Sequence, residues 1–203
     1  LNARRLWPWL LAALALVALW HEARQRPIAR APGVLAAAAP EQDDLPTDAT
    51  HWRKGDIDLR PLARFAATAR VLARADYRFD REAELAPVDL ALGWGRMSDS
   101  AVLEKVDISQ SARFYYWQVR EFPIPEREIV ESSANMHLAP ADTEVARAIR
   151  RVRVGDVVHF EGYLVEARWP DGYRWTSSLT RSDSGPGACE LVWVERFTIE
   201  PRP

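Results

Sequence analysis

The chain has 203 residues, 27 basic against 29 acidic side chains and a formal net charge of −2. Five arginines and one glutamate fall in residues 1–40, so the remainder stands near −6, which argues against a nucleic-acid surface as its main purpose. A single cysteine, Cys189, excludes an intramolecular disulfide, so the fold must stand on packing alone.

In chain order, the first element is Leu6 to Trp20, LWPWLLAALALVALW, uncharged, with Arg4 and Arg5 before it and Arg24 and Arg26 after it. Fifteen residues at helical rise span about 22 Å, short of a ~30 Å hydrocarbon core. Trp7, Trp9 and Trp20 suit the headgroup level, and flanking arginines lengthen the span by snorkelling. A cleavable signal peptide needs small residues after the run, where His21, Glu22, Ala23 and Arg24 stand instead. The expectation is a single uncleaved transmembrane helix over residues 1–22, with the lipid bilayer as partner through Leu6–Trp20. Residues 23–50, with Pro27, Pro32, Gly33, Pro40, Pro46 and an alanine run, read as a semi-extended tether.

Residues 51–203 read as one α+β domain, mainly antiparallel, with a small barrel-like sheet and one or two helices. Alternation from Phe65 to Tyr77 predicts a strand. An acidic connection, Asp80 to Pro87, leads to the apolar Val88–Leu92, and Gly93-Trp94-Gly95 marks a turn or close backbone approach. Ser98 or Asp99 caps a short helix through Ala101, Val102 and Val106, and the aromatic run Arg113 to Val119 is strand-like. Asp142 to Val152 is the clearest helix, with Val145, Ala148, Ile149 and Val152 as its apolar stripe. A strand from Val157 to Ala167 carries Gly162 as a bulge or coil signal. Trp169-Pro170-Asp171-Gly172-Tyr173 is a strong turn, after which Arg174–Thr180 and Leu191–Ile199 return as strands. Three consecutive strands with a glycine kink suit a small closed barrel of the oligonucleotide/oligosaccharide-binding kind.

Several runs together carry a resemblance: Val88–Gly95 with Met97-Ser98-Asp99, Ile108–Ser111 with Phe114–Trp117, Ser133–Asp142, Gly162–Val165 and Ser177–Glu190. In these the chain resembles a family of uncharacterised bacterial membrane-associated proteins with an N-terminal hydrophobic segment. The resemblance implies a bacterial, membrane-associated protein and brings no activity or catalytic residues. In a bacterial inner membrane a short amino-terminal tail commonly stays in the cytoplasm, which places the domain in the periplasm. The arginines on both flanks leave the positive-inside rule without a vote.

Cys189 with His137, and Asn135 or Asp183 as orienting group, are the residue types of a thiol nucleophile and its base. The acids Asp183 and Glu190 beside Cys189 disfavour the thiolate unless Arg181 offsets them, and a small buried cysteine with a histidine hydrogen-bonded to backbone is the plainer reading. Arg181 with the amides around Gly185 and Gly187 offers an anion site, and Trp94 between its glycines offers an aromatic groove. His159-x-Glu161 lacks a second pair of ligands, so no metal is expected, and no fingerprint calls for a cofactor. Two functions follow as expectations: a non-catalytic module that binds a protein or envelope component, or a membrane-anchored thiol hydrolase.

Overall fold

The structure, a computed structural model, describes residues 26–47, 50–180 and 188–202, with Leu11 and Leu16 before them. The expected anchor lies, apart from those two leucines, outside the described residues. Among the described residues no helix is long and apolar enough to cross a membrane.

Period-two alternation carries the chain through its longest strand, β3 (Ile57–Asp76), which buries Ile57, Leu59, Phe65, Ala67, Ala69 and Val71. It begins eight residues earlier than the alternation from Phe65 suggests. Pro61 is accommodated beside a register shift against the partner strand. Two short strands, β1 (Glu41–Asp43) and β2 (Trp52–Lys54), pair with it. The others are β4 (Val88–Gly93), β5 (Val106–Ser111), β6 (Phe114–Val119), β7 (Ser133–Pro140), β8 (Val157–Arg168), β9 (Arg174–Thr176) and β10 (Glu190–Ile199). Three short helices, α1 (Ser100–Leu103), α2 (Glu126–Glu131) and α3 (Thr143–Arg150), exceed the one or two expected.

The pairings β3–β4, β4–β7, β7–β10, β10–β8 and β8–β3 return on themselves. All are antiparallel except β7–β10. The result is an antiparallel-rich sheet ring, not a regular barrel, since β3 and β10 carry register shifts and β1, β2 and β9 hang on its edges. Gly162 of β8 stands opposite the β10 irregularity between Val194 and Arg196. A Cβ there would lie 1.9 Å from the Trp193 carbonyl oxygen, so only glycine lets the two backbones approach.

The ring interior holds Phe65, Leu90, Leu92, Met136, Leu138, Phe160, Leu164 and Val192, and Val145, Ala148 and Ile149 of α3 pack against them. Asp142 caps α3 as its sequence predicts, accepting hydrogen bonds from the Glu144 and Val145 amides. Trp94 belongs to this interior at 3 % exposure. It presents no ring to a surface groove, which corrects the expectation of a ligand-binding aromatic there.

Three further readings change. The short helix ends at Leu103, and Val106 opens β5 instead of closing the helix. The Ser133–Pro140 run, expected to be irregular, is a strand between β4 and β10, because Met136 and Leu138 fill the ring while Asn135 and His137 are covered from outside. The supposed tether does not stand clear of the domain. The Leu35 and Ala36 amides donate to Ser98 Oγ, Gly95 N donates to Ala36 O, and Ile28 N donates to Val154 O at 2.7 Å. A chain without an amphipathic pattern still has backbone donors and acceptors, and here the domain satisfies them.

Candidate functional site

Because successive side chains alternate across a strand, the inner residues of β4 and β7 enforce a second, outward set: Asp89 and Ala91 on β4, Asn135 and His137 on β7. Register places Asp89 directly opposite His137 and Ala91 opposite Asn135. This outer face is covered by the β5–β6 hairpin, and the residues on it are buried: Asp89 0 %, His137 2 %, Asn135 4 % exposed. A fully buried carboxylate needs compensation.

Arg113 supplies it. Ala112 and Arg113 form the two-residue turn of the hairpin and both adopt positive φ, 49° and 69°. Glycine or asparagine is the usual choice at such positions, so this backbone conformation carries strain. The strain places the Arg113 guanidinium where its Nη1 donates to Asp89 Oδ1 at 2.9 Å and to the Ala86 carbonyl at 2.8 Å. Its Nε and Nη2 donate to both oxygens of Asp80, at 3.2 and 2.6 Å. Such planar bidentate pairing is what a guanidinium does better than an ammonium. The group also lies 3.9 Å from the Tyr77 ring centre, and the Arg113 amide donates to Tyr77 Oη. Burial pushes the Tyr77 phenol above its ordinary pKa, with the backbone hydrogen bond opposing.

The remaining Asp89 oxygen approaches His137 Nδ1 at 2.9 Å, close enough for an ion pair but without aligned hydrogen-bond geometry. The His137 ring packs on Trp175 of β9 with centres 4.6 Å apart. Asn135 is held from three sides. Its Nδ2 donates to the Arg113 carbonyl at 2.9 Å and lies 3.8 Å from Cys189 Sγ, while Gln110 Nε2 donates to its Oδ1 at 2.6 Å. The Cys189 thiol points at the same Arg113 carbonyl, at 3.8 Å.

Of the expected thiol group, the fold therefore brings Cys189 to Asn135 and gives His137 to Asp89 and Trp175. The parallel β7–β10 register sets Leu191 opposite His137, so Cys189 lies one side-chain repeat away, about 7 Å along the strand. Asp183, Arg181, Gly185 and Gly187 lie outside the described residues. Ser177 and Ser178 are spent locally: Ser177 Oγ accepts from the Leu191 amide and donates to the Ser178 carbonyl.

Asp89 and Arg113 are the members that the sequence reading missed. Asp89 had a signal, a lone acid inside the apolar run Val88–Leu92. Arg113 had none, because its role depends on a turn folding back over another pair of strands.

Two other polar groups stand apart from this cluster. His159 Nδ1 lies 2.9 Å from Thr68 Oγ1 and its Nε2 lies 3.2 Å from Glu161, which also pairs with Arg196. These half-exposed partners form a hydrogen-bonded strand surface. Lys54 packs near Trp193 and donates to the carbonyls of Leu85 and Pro140, and burial lowers its pKa to about 8 against the opposing Glu84 charge. Among the described residues no cluster of histidine, cysteine or acidic side chains is arranged to hold a metal ion.

Comparison with known proteins finds no match for this chain among protein families, curated proteins or solved structures.

Proposed function

We propose that this chain is a membrane-tethered, extracytoplasmic binding module without catalytic activity, anchored by Leu6–Trp20 and built on a barrel-like ring. One observation carries the reading: Arg113 and Asn135, the central donors of the buried cluster, are turned on its other members. Arg113 is occupied by Asp80, Asp89 and a carbonyl, and Asn135 by Gln110, Arg113 and Cys189. A catalytic constellation keeps a base aimed at its nucleophile, and here the β7–β10 register sets His137 opposite Leu191, two residues on from Cys189.

The strand order supports the barrel-like part. Counting only the ring, the order is first, second, third, fifth, fourth, with the third and fifth parallel and a helix between the third and fourth. That is the arrangement of the five-stranded Greek-key barrel whose second and third strands commonly meet a ligand. In this chain the β5–β6 hairpin covers that face, and the aromatics Tyr116 and Phe122 are exposed on and beside it. They are the contacts we assign to a protein or envelope component, since aromatic rings anchor such interfaces.

The alternative is a membrane-anchored thiol hydrolase, favoured by the 3.8 Å contact between Asn135 and Cys189. Alkylation of Cys189 with iodoacetamide separates the two. The binding module requires slow labelling that accelerates only as the protein unfolds. Rapid labelling of the native chain below pH 7 would instead identify a thiolate nucleophile and sink the non-catalytic reading.

A further inference from the structure

The domain is acidic as a whole, yet one short run is purely basic. Arg147, Arg150, Arg151 and Arg153 fall within seven residues that contain no acid. The first three are exposed, on the last turn of α3 and just after it. Cations at a helix C-terminus are ordinarily explained by the free carbonyls there. That role is already filled, because Arg74 Nη1 donates to the carbonyls of Ile149, Arg150 and Val152. The exposed arginines are therefore not needed to bond those carbonyls.

The amino-terminal end of the described chain is fastened to the same place. The Arg153 guanidinium donates to the Arg26 carbonyl, Arg30 Nε donates to the Gly155 carbonyl at 3.0 Å, and the Ile28 amide donates to Val154 O. Gly155 has φ +87° and a Cβ on it would lie 2.2 Å from the Ile28 carbonyl oxygen, so this contact is built into the backbone. Arg202 joins from the other end of the chain, covering buried Asp156 and donating to the Arg151 carbonyl. The acids nearby are few. Asp156 is fully buried, Asp76 is paired with Arg74, Glu200 is exposed, and exposed Glu144 stands one turn before Arg147 on α3.

We propose that the surface formed by Arg26, Arg147, Arg150 and Arg151 docks on an anionic lipid surface. The inference rests on the anchor in the reading above for its distance argument. Arg26 follows Trp20 by six residues, so Arg26 itself lies within about 20 Å of the end of the apolar run. With the 26–36 segment fastened to the domain, only residues 21–25 separate the apolar run from Arg26, and arginines near an anionic bilayer each add to the attraction within a Debye length.

The test uses the full chain with vesicles of phosphatidylcholine alone or of phosphatidylcholine with phosphatidylglycerol. Co-flotation is measured first, then hydrogen exchange of the amides in 26–30 and 147–156. Docking requires slower exchange in the anionic vesicles than in the neutral ones, with the difference shrinking at high salt. It must also vanish in the triple variant Arg147→Glu, Arg150→Glu, Arg151→Glu, whose melting temperature should match the parent. If charge reversal impairs folding, the corresponding glutamine variant gives the same readout. Equal exchange in both vesicles, or a difference that survives the substitutions, overturns the proposal. Failure to float with neutral vesicles would sink the anchor reading alone. The patch would then be read from binding to the anionic vesicles, which should weaken about a hundredfold in the triple variant.

Discussion

The two faces of the β4–β7 pair are made by the same strands and held by opposite physics. Inside the ring, Leu90, Leu92, Met136 and Leu138 are fully buried among other apolar side chains. Outside, Asp89, Asn135 and His137 are almost as completely buried, but under a hairpin and against Arg113 and Trp175. The inner face depends on volume and area, so it tolerates exchange among residues of similar size. The outer face depends on complementarity, so it fails when any one partner loses its charge or its shape. Burial alone does not say which regime a residue is in.

The largest effect should come from breaking the outer face. Asp89→Ala leaves the Arg113 guanidinium half-compensated beneath the hairpin and should cost about 3–5 kcal/mol in urea unfolding. A cost below about 1 kcal/mol would show that water replaces the carboxylate and that the cluster is not the hairpin's clasp.

Isosteric exchanges sharpen the contrast. Leu90→Met on the inner face should cost less than about 1.5 kcal/mol. Asp89→Asn keeps the shape and removes the charge, and it should cost about 2 kcal/mol or more, since a hydrogen bond to a charged partner is lost in a buried site. Equal costs would erase the distinction between the faces. Gly162→Ala tests the ring that both faces share. Its methyl would meet the Trp193 carbonyl, and a loss of about 1–3 kcal/mol is expected from the strand shift that follows.

Lys54 gives a smaller, pH-dependent test away from both faces. Its folded pKa, about 8, lies below the ordinary 10.5, so between those values the unfolded chain binds more protons than the folded one. Stability should therefore rise with pH across that window. Tyr115 and Tyr173, pushed up to about 12 by burial and by the Glu82 hydrogen bond respectively, act oppositely above pH 10, where the unfolded phenols lose their protons first. Lys54→Met should abolish the rise between pH 8 and 9.5, as followed by thermal melts. The smallest effect is at the surface. Glu161→Gln, which removes the exposed pairing with Arg196, should leave the urea midpoint unmoved within error.

Much of the local structure was legible because it is local. Asp142 at the start of α3, the Trp169–Tyr173 turn and the 157–167 strand each depend on side chains that act on their own backbone or its immediate neighbours. Gly162 signalled a bulge or coil in its own strand, whereas the irregularity sits on β10 across from it. The run 133–140 misled because a strand buried on both sides, with polar residues on one of them, has no solvent face to mark its period.

By itself, then, the sequence determined an apolar amino-terminal segment, an acidic domain with one cysteine, the inner face of β3 from Phe65 on and the capped helix α3, since alternation and capping are short-range rules. It also put Cys189, Asn135 and His137 among the residues to examine. The tertiary structure alone decided their partners. Asp89 meets His137 through the β4–β7 register, Arg113 reaches both acids through a strained turn 24 residues further along, and the 26–36 segment folds back on Val154 and Ser98. Each of these contacts joins groups distant in the chain, and the free energy that selects them comes from burying charge and backbone together.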